Sequence, residues 1–262
     1  MKILTFAKHV PTSAVTPRIA DGHDRIEEDG LAYEVNEADL YAIEEALHQR
    51  SAHGGSVTSV TVGPARAKAV LHVAFAMGVD EAVHVIDETA RGTSASLTVA
   101  AAAAVARDLG PDLIFAGIQA EDDLLGQFGV ALAEELGLPV VTAVTEIRIE
   151  PQARVAKVVR ELGGGFKQEL EVDLPCVLTI QFGIRQLRYT PIMAIVRARS
   201  RRIETMEIDA VRIPPERRRA ESQLRVVTLA YPEDGGHCEL IDGSPVQVAS
   251  KLVGKLVTAG VV

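Results

Sequence analysis

The feature that most constrains this chain is a regular alternation of short apolar runs with segments of helical periodicity along its first half. The apolar runs of strand length lie at residues 2–7, 57–62, 82–86 and 111–117, and the helical segments at 36–48, 65–77, 93–108 and 127–137. Strands that alternate with helices are joined by crossover connections. The pattern therefore predicts an α/β fold, a Rossmann-like parallel sheet flanked by helices on both faces.

The alternation ends after the fourth helical segment, and the chain then predicts an antiparallel addition. Segments 140–149, 154–162 and 168–172 alternate in polarity, and three glycines at 163–165 suit a turn between the last two. The apolar segment 176–182 is expected to return to the core. Before the first helix, the segment at 12–34 is rich in Asp, Glu and Gly, which predicts a loop with a short hairpin.

The C-terminal part differs in composition from the rest of the chain. Residues 185–219 hold ten arginines, no lysine and four acidic residues, although the whole chain carries a formal charge of −9. We predict an extended linker at 213–219, a strand at 225–230, a Gly-rich loop and a last helix at 245–256 that Ser244 caps. We therefore divide the chain into an α/β domain with its hairpin, 1–184, and a partner-contacting C-terminal extension, 185–262.

Composition excludes several classes of function. The negative charge and the absence of Trp argue against a nucleic-acid partner, and no stretch is apolar enough for membrane insertion. Cys176 and Cys238 have no metal-ligand spacing and suggest no disulfide framework, which fits a reducing cytoplasm. No phosphate-binding loop, no dinucleotide fingerprint after a strand and no nucleophile with a base is present. We expect no metal and no catalytic residues.

The most informative stretch is the loop at 117–129, between a predicted parallel strand and a short helix. Such a loop is where open α/β sheets hold ligands, and the helix start offers backbone N–H groups to a phosphate. Its polar side chains are of the kind that reach ribose hydroxyls or an adenine edge: Gln119, Glu121, Asp122, Asp123 and Gln127. Acids in a first helical turn also act as simple caps. From the residues alone, capping and nucleotide binding remain equal alternatives.

Several short motifs in fixed order resemble those of the β subunits of electron transfer flavoproteins, including the FixA-like members. The resemblance covers about residues 1–205. Each motif is weak alone, but together they are specific: Lys8-His-Val-Pro11, Asn36 with Ala42-Ile-Glu-Glu-Ala46, Val62-Gly-Pro64, Ala74-Phe-Ala-Met-Gly78, Gly117-Ile-Gln-Ala120 with Gln127 and Gly129, Arg160-Glu161, Leu174-Pro175 with Thr179, Arg188-Tyr189 and Ile192-Met193.

The resemblance implies an electron carrier whose FAD is held mainly by an α subunit, in a fold like that of adenine-nucleotide α-hydrolases. It implies that the β subunit binds AMP as a structural ligand, or a second FAD in its place in bifurcating members. The cofactor-binding residues it implies are Phe6, Asn36, Glu37, Ala38, Asp39, Val62, Gln119, Ala120, Glu121, Asp122, Asp123, Gly126, Gln127, Phe128, Gly129 and Val130. Ile184, Arg185 and Arg188 would dock the α subunit or a redox partner protein.

The chain also departs from the family pattern. Its hairpin is about one residue longer, with glycine in place of the family Asp, and the segment 183–191 is shorter than the family's partner-recognition loop. The resemblance therefore does not imply the usual acyl-CoA dehydrogenase partners. Many members read Asn-Pro-aromatic where this chain has Asn36-Glu37-Ala38, and some have Tyr in place of Ser13. This difference would leave the flavin with less apolar cover and a carboxylate, Glu37, nearby.

Two other functions compete with the electron-transfer subunit. The first is a stand-alone adenine-nucleotide-binding module of the universal-stress-protein type, which does not account for the hairpin and the basic C-terminal part. The second is an adenylate-forming or hydrolysing enzyme on the same fold. That enzyme requires a Ser/Gly-rich phosphate loop after the first strand, where this chain has Lys8-His-Val-Pro11.

Overall fold

The computed structural model describes residues 1–88, 95–215, 226–232 and 238–261. The strands are β1 (Lys2–Phe6), β2 (His9–Pro11), β3 (Tyr33–Val35), β4 (Ser56–Gly63), β5 (Glu81–Ile86), β6 (Leu113–Gly117), β7 (Val140–Glu150), β8 (Val155–Glu161), β9 (Lys167–Asp173), β10 (Cys176–Ile180) and β11 (Glu204–Glu207). The α-helices are α1 (Glu37–His53), α2 (Lys68–Met77), α3 (Ala95–Leu109), α4 (Phe128–Leu136), α5 (Ile192–Ala198) and α6 (Pro245–Thr258).

The described residues form one nine-stranded sheet in the order β11-β5-β4-β1-β6-β10-β7-β8-β9. Neighbouring strands from β11 to β7 run parallel, and β7, β8 and β9 pair antiparallel. A separate two-stranded antiparallel sheet joins β2 to β3. The architecture confirms the predicted α/β class, with a mostly parallel sheet flanked by helices and an antiparallel hairpin.

Both faces of the parallel sheet are buried, which explains why its strands read as continuous apolar runs. On one face, residues such as Ile3 and Phe115 pack with α1 and α2, and on the other face Leu4 and Ile114 pack with α3 and α4. The run of small side chains in α3, at residues 100–104, is buried. Small side chains allow the helix to approach the sheet closely.

The predicted hairpin is confirmed as β8 and β9, with the three glycines in the turn at positive φ. Strand β9 forms one edge of the sheet, and it carries exposed charged residues, including Lys167 and Glu171. Charged side chains on an edge strand prevent unwanted pairing with another sheet. The short hairpin expected within 12–34 is also present, as an antiparallel bridge between Ile19 and Ile26.

The structure corrects the prediction in four places. Helix α1 continues to His53, five residues beyond its predicted end. Helix α5 and strand β11 were not predicted, because they are only seven and four residues long, which is too short for a periodic pattern to stand out. The strand predicted at 225–230 is wrong, since residues 226–230 have no ladder partner and Leu229 donates a single backbone hydrogen bond to the carbonyl of His23.

Parts of other predicted elements lie outside the described residues. These are residues 93–94 of the third helical segment, residue 225, residues 216–219 of the linker and residues 233–237 of the Gly-rich loop. In the part of the chain that the structure describes, no helix has both the length and the apolar character needed to cross a membrane.

Candidate nucleotide-binding site

The candidate site lies at the carboxyl ends of β1 and β6, the two adjacent strands at which the sheet changes direction. From β1 the chain adds β4 and β5 on one side, and it then returns to add β6 on the other side of β1. The loops after β1 and β6 therefore diverge and leave a crevice between them. In open α/β sheets this point is the usual place for a ligand.

Asp39, in the first turn of α1, connects the two strand ends. One carboxylate oxygen accepts the backbone N–H of Lys8, just after β1, at 2.8 Å, and the other accepts the N–H of Gly117, at the end of β6, at 3.1 Å. Burial raises the pKa of Asp39 to about 6, even though these hydrogen bonds favour the ionised form. A Cβ at position 117 would overlap this carboxylate and approach the Ala38 carbonyl carbon to 2.8 Å. Glycine at 117 is therefore required for the close approach of α1.

Asn36 precedes α1 in the N-cap position predicted for it, but its side chain does not cap the helix. Its amide nitrogen donates to the carbonyl of Gln119 at 3.0 Å, and its amide oxygen accepts the N–H of Glu121 at 3.1 Å. The carboxylate of Glu121 in turn accepts the backbone N–H of Glu37 at the helix start. Partial desolvation, with the nearby carboxylate of Glu37 as the next cause, raises the pKa of Glu121.

The middle of the loop is held by an ion pair across the crevice. Lys8 Nζ lies 2.6 Å from an oxygen of Asp122 and 2.8 Å from an oxygen of Asp123. Burial lowers the pKa of Lys8, but the two carboxylates outweigh that effect and raise it above its ordinary value. Leu124 and Gly126 adopt positive φ, which turns the loop back toward α4. The acids of this loop therefore make tertiary contacts and do not serve only as helix caps.

The far wall of the crevice is the start of α4. The ring of Phe128 packs edge-to-face on Phe6, the last residue of β1, with ring centroids 5.1 Å apart. Gly129 lies against β10, where a Cβ would overlap the methyl group of Thr179. Gln127 makes no side-chain capping bond, so the first N–H groups of α4 depend on other acceptors. A helix start of this kind suits an anion.

The structure thus brings the predicted cofactor-binding residues to one edge of the sheet, on the first turn of α1, the loop after β6, the start of α4 and the ends of β1 and β4. Ala38 is fully buried and faces Gly117, whereas Glu37 is exposed. Sequence reasoning omitted Lys8, Gly117 and Thr179 from the site. Lys8 had a usable signal, because it is the first charged residue after a buried strand.

The residues predicted to dock a partner lie elsewhere and make internal contacts. Arg188 forms two hydrogen bonds to the carboxylate of Glu44, at 2.7 and 2.9 Å, which raise its pKa, and Arg185 pairs with Glu45. Glu45 is completely buried, and Ile184 packs against the core. These contacts fasten the segment after β10 to α1.

Two exposed apolar surfaces follow that segment. The first, the α5 face, comprises Tyr189, Ile192, Met193 and Val196, with Ile192 73% exposed. The second is α6, which buries none of its residues and exposes Val246, Leu252, Val253 and Val257. Among the described residues, no group of three or more His, Cys, Asp or Glu side chains is arranged to hold a metal ion.

Comparison with known proteins agrees with this architecture. A family model, the electron transfer flavoprotein domain, matches residues 25–211. The electron transfer flavoprotein subunit beta of Methylophilus methylotrophus is 31% identical over 255 residues, which is 97% of each chain. The mitochondrial subunit beta of Arabidopsis thaliana is 34% identical over 215 residues, 81% of this chain and 84% of its own.

The FixA protein of Azotobacter vinelandii is 34% identical over 196 residues, 73% of this chain and 69% of its own. The residues that the family model matches include the loop after β6, the hairpin and α5. The names of these relatives support a role in electron transfer. The chain belongs to the electron transfer flavoprotein family, among its β-subunit and FixA-like members.

Proposed function

We propose that this chain is the β subunit of a heterodimeric electron transfer flavoprotein, carrying electrons from dehydrogenase-type donors to an acceptor through an FAD held mainly by the α subunit. The observation that carries the heterodimer is α6, a helix of fourteen residues with a capping box, three exposed valines and an exposed leucine but no buried residue. Apolar surface of this extent is typical of an interface. The α subunit is the partner that the family supplies.

We also propose that the crevice between β1 and β6 holds an adenine nucleotide, AMP or a second FAD in its place. The residues fit such a ligand. The first N–H groups of α4, at 128–130, suit a phosphate, and Phe6 with Phe128 provides an aromatic wall. Exposed carboxylates at Glu37 and Glu121 lie within the same edge and suit ribose hydroxyls. The nucleotide would supply structural support, and the flavin of the α subunit would supply the redox chemistry.

The stand-alone nucleotide-binding module remains the second candidate, because its fold also provides a crevice of this kind. It predicts a colourless monomer that binds nucleotide without a partner. Purification of the tagged full chain from cells that also make the α subunit separates the two functions. A second chain and the yellow absorbance of oxidised flavin in the same complex support the subunit. A colourless monomer with bound nucleotide would support the module.

We propose the α5 face as the docking surface for the redox partner. Its apolar residues are bordered by the exposed arginines Arg197, Arg199 and Arg202, so it fits an apolar patch with an acidic rim. Arg185 and Arg188 are a poor test of docking, because reversing their charge also breaks their ion pairs with α1. Arg197 and Arg199 avoid that problem.

Charge reversal at Arg197 and Arg199 should slow electron transfer to the partner at low salt and flatten its dependence on ionic strength. Ile192→Asp should slow transfer while the salt dependence stays. Arg25→Glu, in the 12–34 loop, is the control for a change of net charge, because its ion pair with Asp24 is exposed on both sides and adds little stability. Equal rates for all variants across ionic strength would show that the α5 face is not used.

A further inference from the structure

Two buried polar side chains in and before the first turn of α1 hold the nucleotide loop in place. Asn36 is 1% exposed and Asp39 is 7% exposed, and both direct their polar atoms at backbone groups of other segments. We propose that Asn36 and Asp39 are positioning residues, whose side chains set the shape of the adenine-nucleotide crevice by fixing the loop after β6 to the end of β1. This inference rests on the proposed nucleotide site, and it names the two residues that fix the shape of that site.

The hydrogen-bonding geometry of Asp39 favours positioning over direct contact. Its two oxygens accept N–H groups from the two sides of the crevice, at Lys8 and Gly117, at 2.8 and 3.1 Å. The missing side chain at Gly117 is what allows the carboxylate to lie there. Asp39 therefore sets the separation of the two strand ends, and with it the width of the crevice.

Asn36 fixes the next part of the loop. Its side-chain amide donates one hydrogen bond to the carbonyl of Gln119 and accepts another from the N–H of Glu121. The amide therefore satisfies one backbone acceptor and one backbone donor of the loop. Aspartate in its place keeps the acceptor but brings a carboxylate against the carbonyl. The amide is therefore specific for the position of residues 119–121, the start of the candidate nucleotide loop.

The charges around Asp39 give the site a dependence on pH. From the end of β1 the Lys8 ammonium acts on Asp39 and favours its ionised form, and that ammonium is itself paired with Asp122 and Asp123 of the loop. The carboxylates of Glu37 and Glu121 border the same turn of α1. Because burial raises the pKa of Asp39 to about 6, the carboxyl takes up a proton just below neutral pH. A protonated carboxyl accepts one N–H less well, which loosens the contact between the strand ends.

The test measures AMP binding to the heterodimer by equilibrium dialysis between pH 5 and pH 8, for the wild type and for Asp39→Asn. The asparagine mimics the protonated carboxyl. We expect its affinity for AMP to be about tenfold weaker than that of the wild type at pH 7.5, and the two affinities to converge near pH 5. The phosphate of AMP titrates in the same range, but it does so equally for both proteins, so the ratio of affinities reports Asp39 alone.

Asp112→Asn is the matched control. Asp112 accepts the N–H of Lys2 at 2.9 Å, so it joins the same two strands at their opposite ends, away from the crevice. Its affinity ratio to the wild type should stay near one at every pH. A second variant, Asn36→Asp, should weaken AMP binding about tenfold at pH 7.5, by repulsion from the Gln119 carbonyl and from the Asp39 carboxylate that the Asn36 side chain also hydrogen-bonds. This variant keeps the inference testable if Asp39→Asn does not fold.

Hydrogen exchange of the nucleotide-free heterodimer distinguishes positioning from direct contact. Positioning predicts faster exchange before any nucleotide is added, at the amides of Lys8 and Gly117 in Asp39→Asn and at the amide of Glu121 in Asn36→Asp, where repulsion displaces the loop. Unchanged exchange in the variants, or an Asp39→Asn affinity equal to the wild type at pH 7.5, would overturn the inference. A wild-type heterodimer that binds no AMP at any pH would instead overturn the proposed nucleotide site.

Discussion

The candidate nucleotide edge of the sheet and the C-terminal helix α6 place their polar and apolar side chains in opposite ways. At the edge, buried polar groups such as Asn36 and Asp39 are paired with backbone groups of the same chain. In α6 the apolar side chains face outward, and Val246 is 80% exposed. A buried polar group with a hydrogen-bond partner needs no further contact, whereas an exposed apolar patch is typical of an interaction site. The edge pairs its buried polar groups within this chain, whereas α6 leaves its apolar side chains exposed.

The largest effect is expected where the chain depends on its partner. Val253→Asp with Val257→Asp should weaken the heterodimer by about 100-fold or more, because each valine contributes roughly 1.5 kcal/mol when buried. The circular dichroism of the chain should stay unchanged, since α6 packs none of its residues in the core. Analytical ultracentrifugation measures the association.

Thr258→Asp, at an exposed position outside the stripe formed by Val246, Val253 and Val257, is the control for added charge. It should leave the association constant within about threefold of the wild type, as expected for an exposed residue outside the apolar face. Tight association of the double variant would show that α6 is not the interface. The contrast drawn between the sheet edge and α6 would then be wrong.

The next effect concerns the ion pairs that fasten the docking segment to α1. Arg185→Ala leaves the buried carboxylate of Glu45 without its cation, and we expect a loss of about 2 kcal/mol in the free energy of unfolding after allowance for the partial exposure of Arg185. Arg199→Ala, at an exposed position beyond α5, should cost no more than about 0.5 kcal/mol. Urea denaturation compares them. Equal losses would mean that the Arg185 pair adds no stability.

A smaller effect tests the packing of α4 on the sheet. Gly129→Ala should lower the free energy of unfolding by about 2 kcal/mol, because the new methyl group overlaps that of Thr179. Thr179→Ser removes the opposing methyl group and keeps the hydroxyl that accepts the Ala143 N–H at 3.1 Å. The double variant should therefore recover part of the loss. Additive losses in thermal unfolding would contradict this contact.

The smallest effect contrasts the two cysteines, one in the sheet at the start of β10 and one before α6. Burial raises the pKa of Cys176 to about 12, so its thiol is not ionised at pH 8, and Cys238 is exposed. A thiol reagent should modify one cysteine of the native chain at pH 8 and both after denaturation, because the thiolate is the reactive form. Rapid modification of both in the native chain would show that β10 is not buried.

Much of the fold was predictable because the parallel strands are buried on both faces and therefore read as apolar runs. The position of the loop at 117–129, the candidate nucleotide loop, followed from the strand before it and the helix after it. The roles of Asn36 and Asp39 did not follow, because each has a partner far along the chain: Gly117 is 78 residues from Asp39, and Gln119 is 83 residues from Asn36. Sequence spacing does not show which strand ends become neighbours.

The ion pairs of Arg185 and Arg188 were unpredictable for the same reason, since their partners on α1 are 140 or more residues earlier. A high density of arginines favoured an outward-facing surface, whereas two of them face the core helix. The strand predicted at 225–230 failed because β-branched residues favour a strand only where a partner strand is available. Strand β11 shows the converse, since polar residues form an edge strand beside β5.

The central claim is that the crevice between β1 and β6 holds an adenine nucleotide in addition to the FAD of the α subunit. Denaturing the purified heterodimer and separating the released nucleotides by reversed-phase chromatography tests this claim most directly. We predict one FAD together with one AMP, or two FAD, for each heterodimer. One FAD and no second nucleotide would contradict the account.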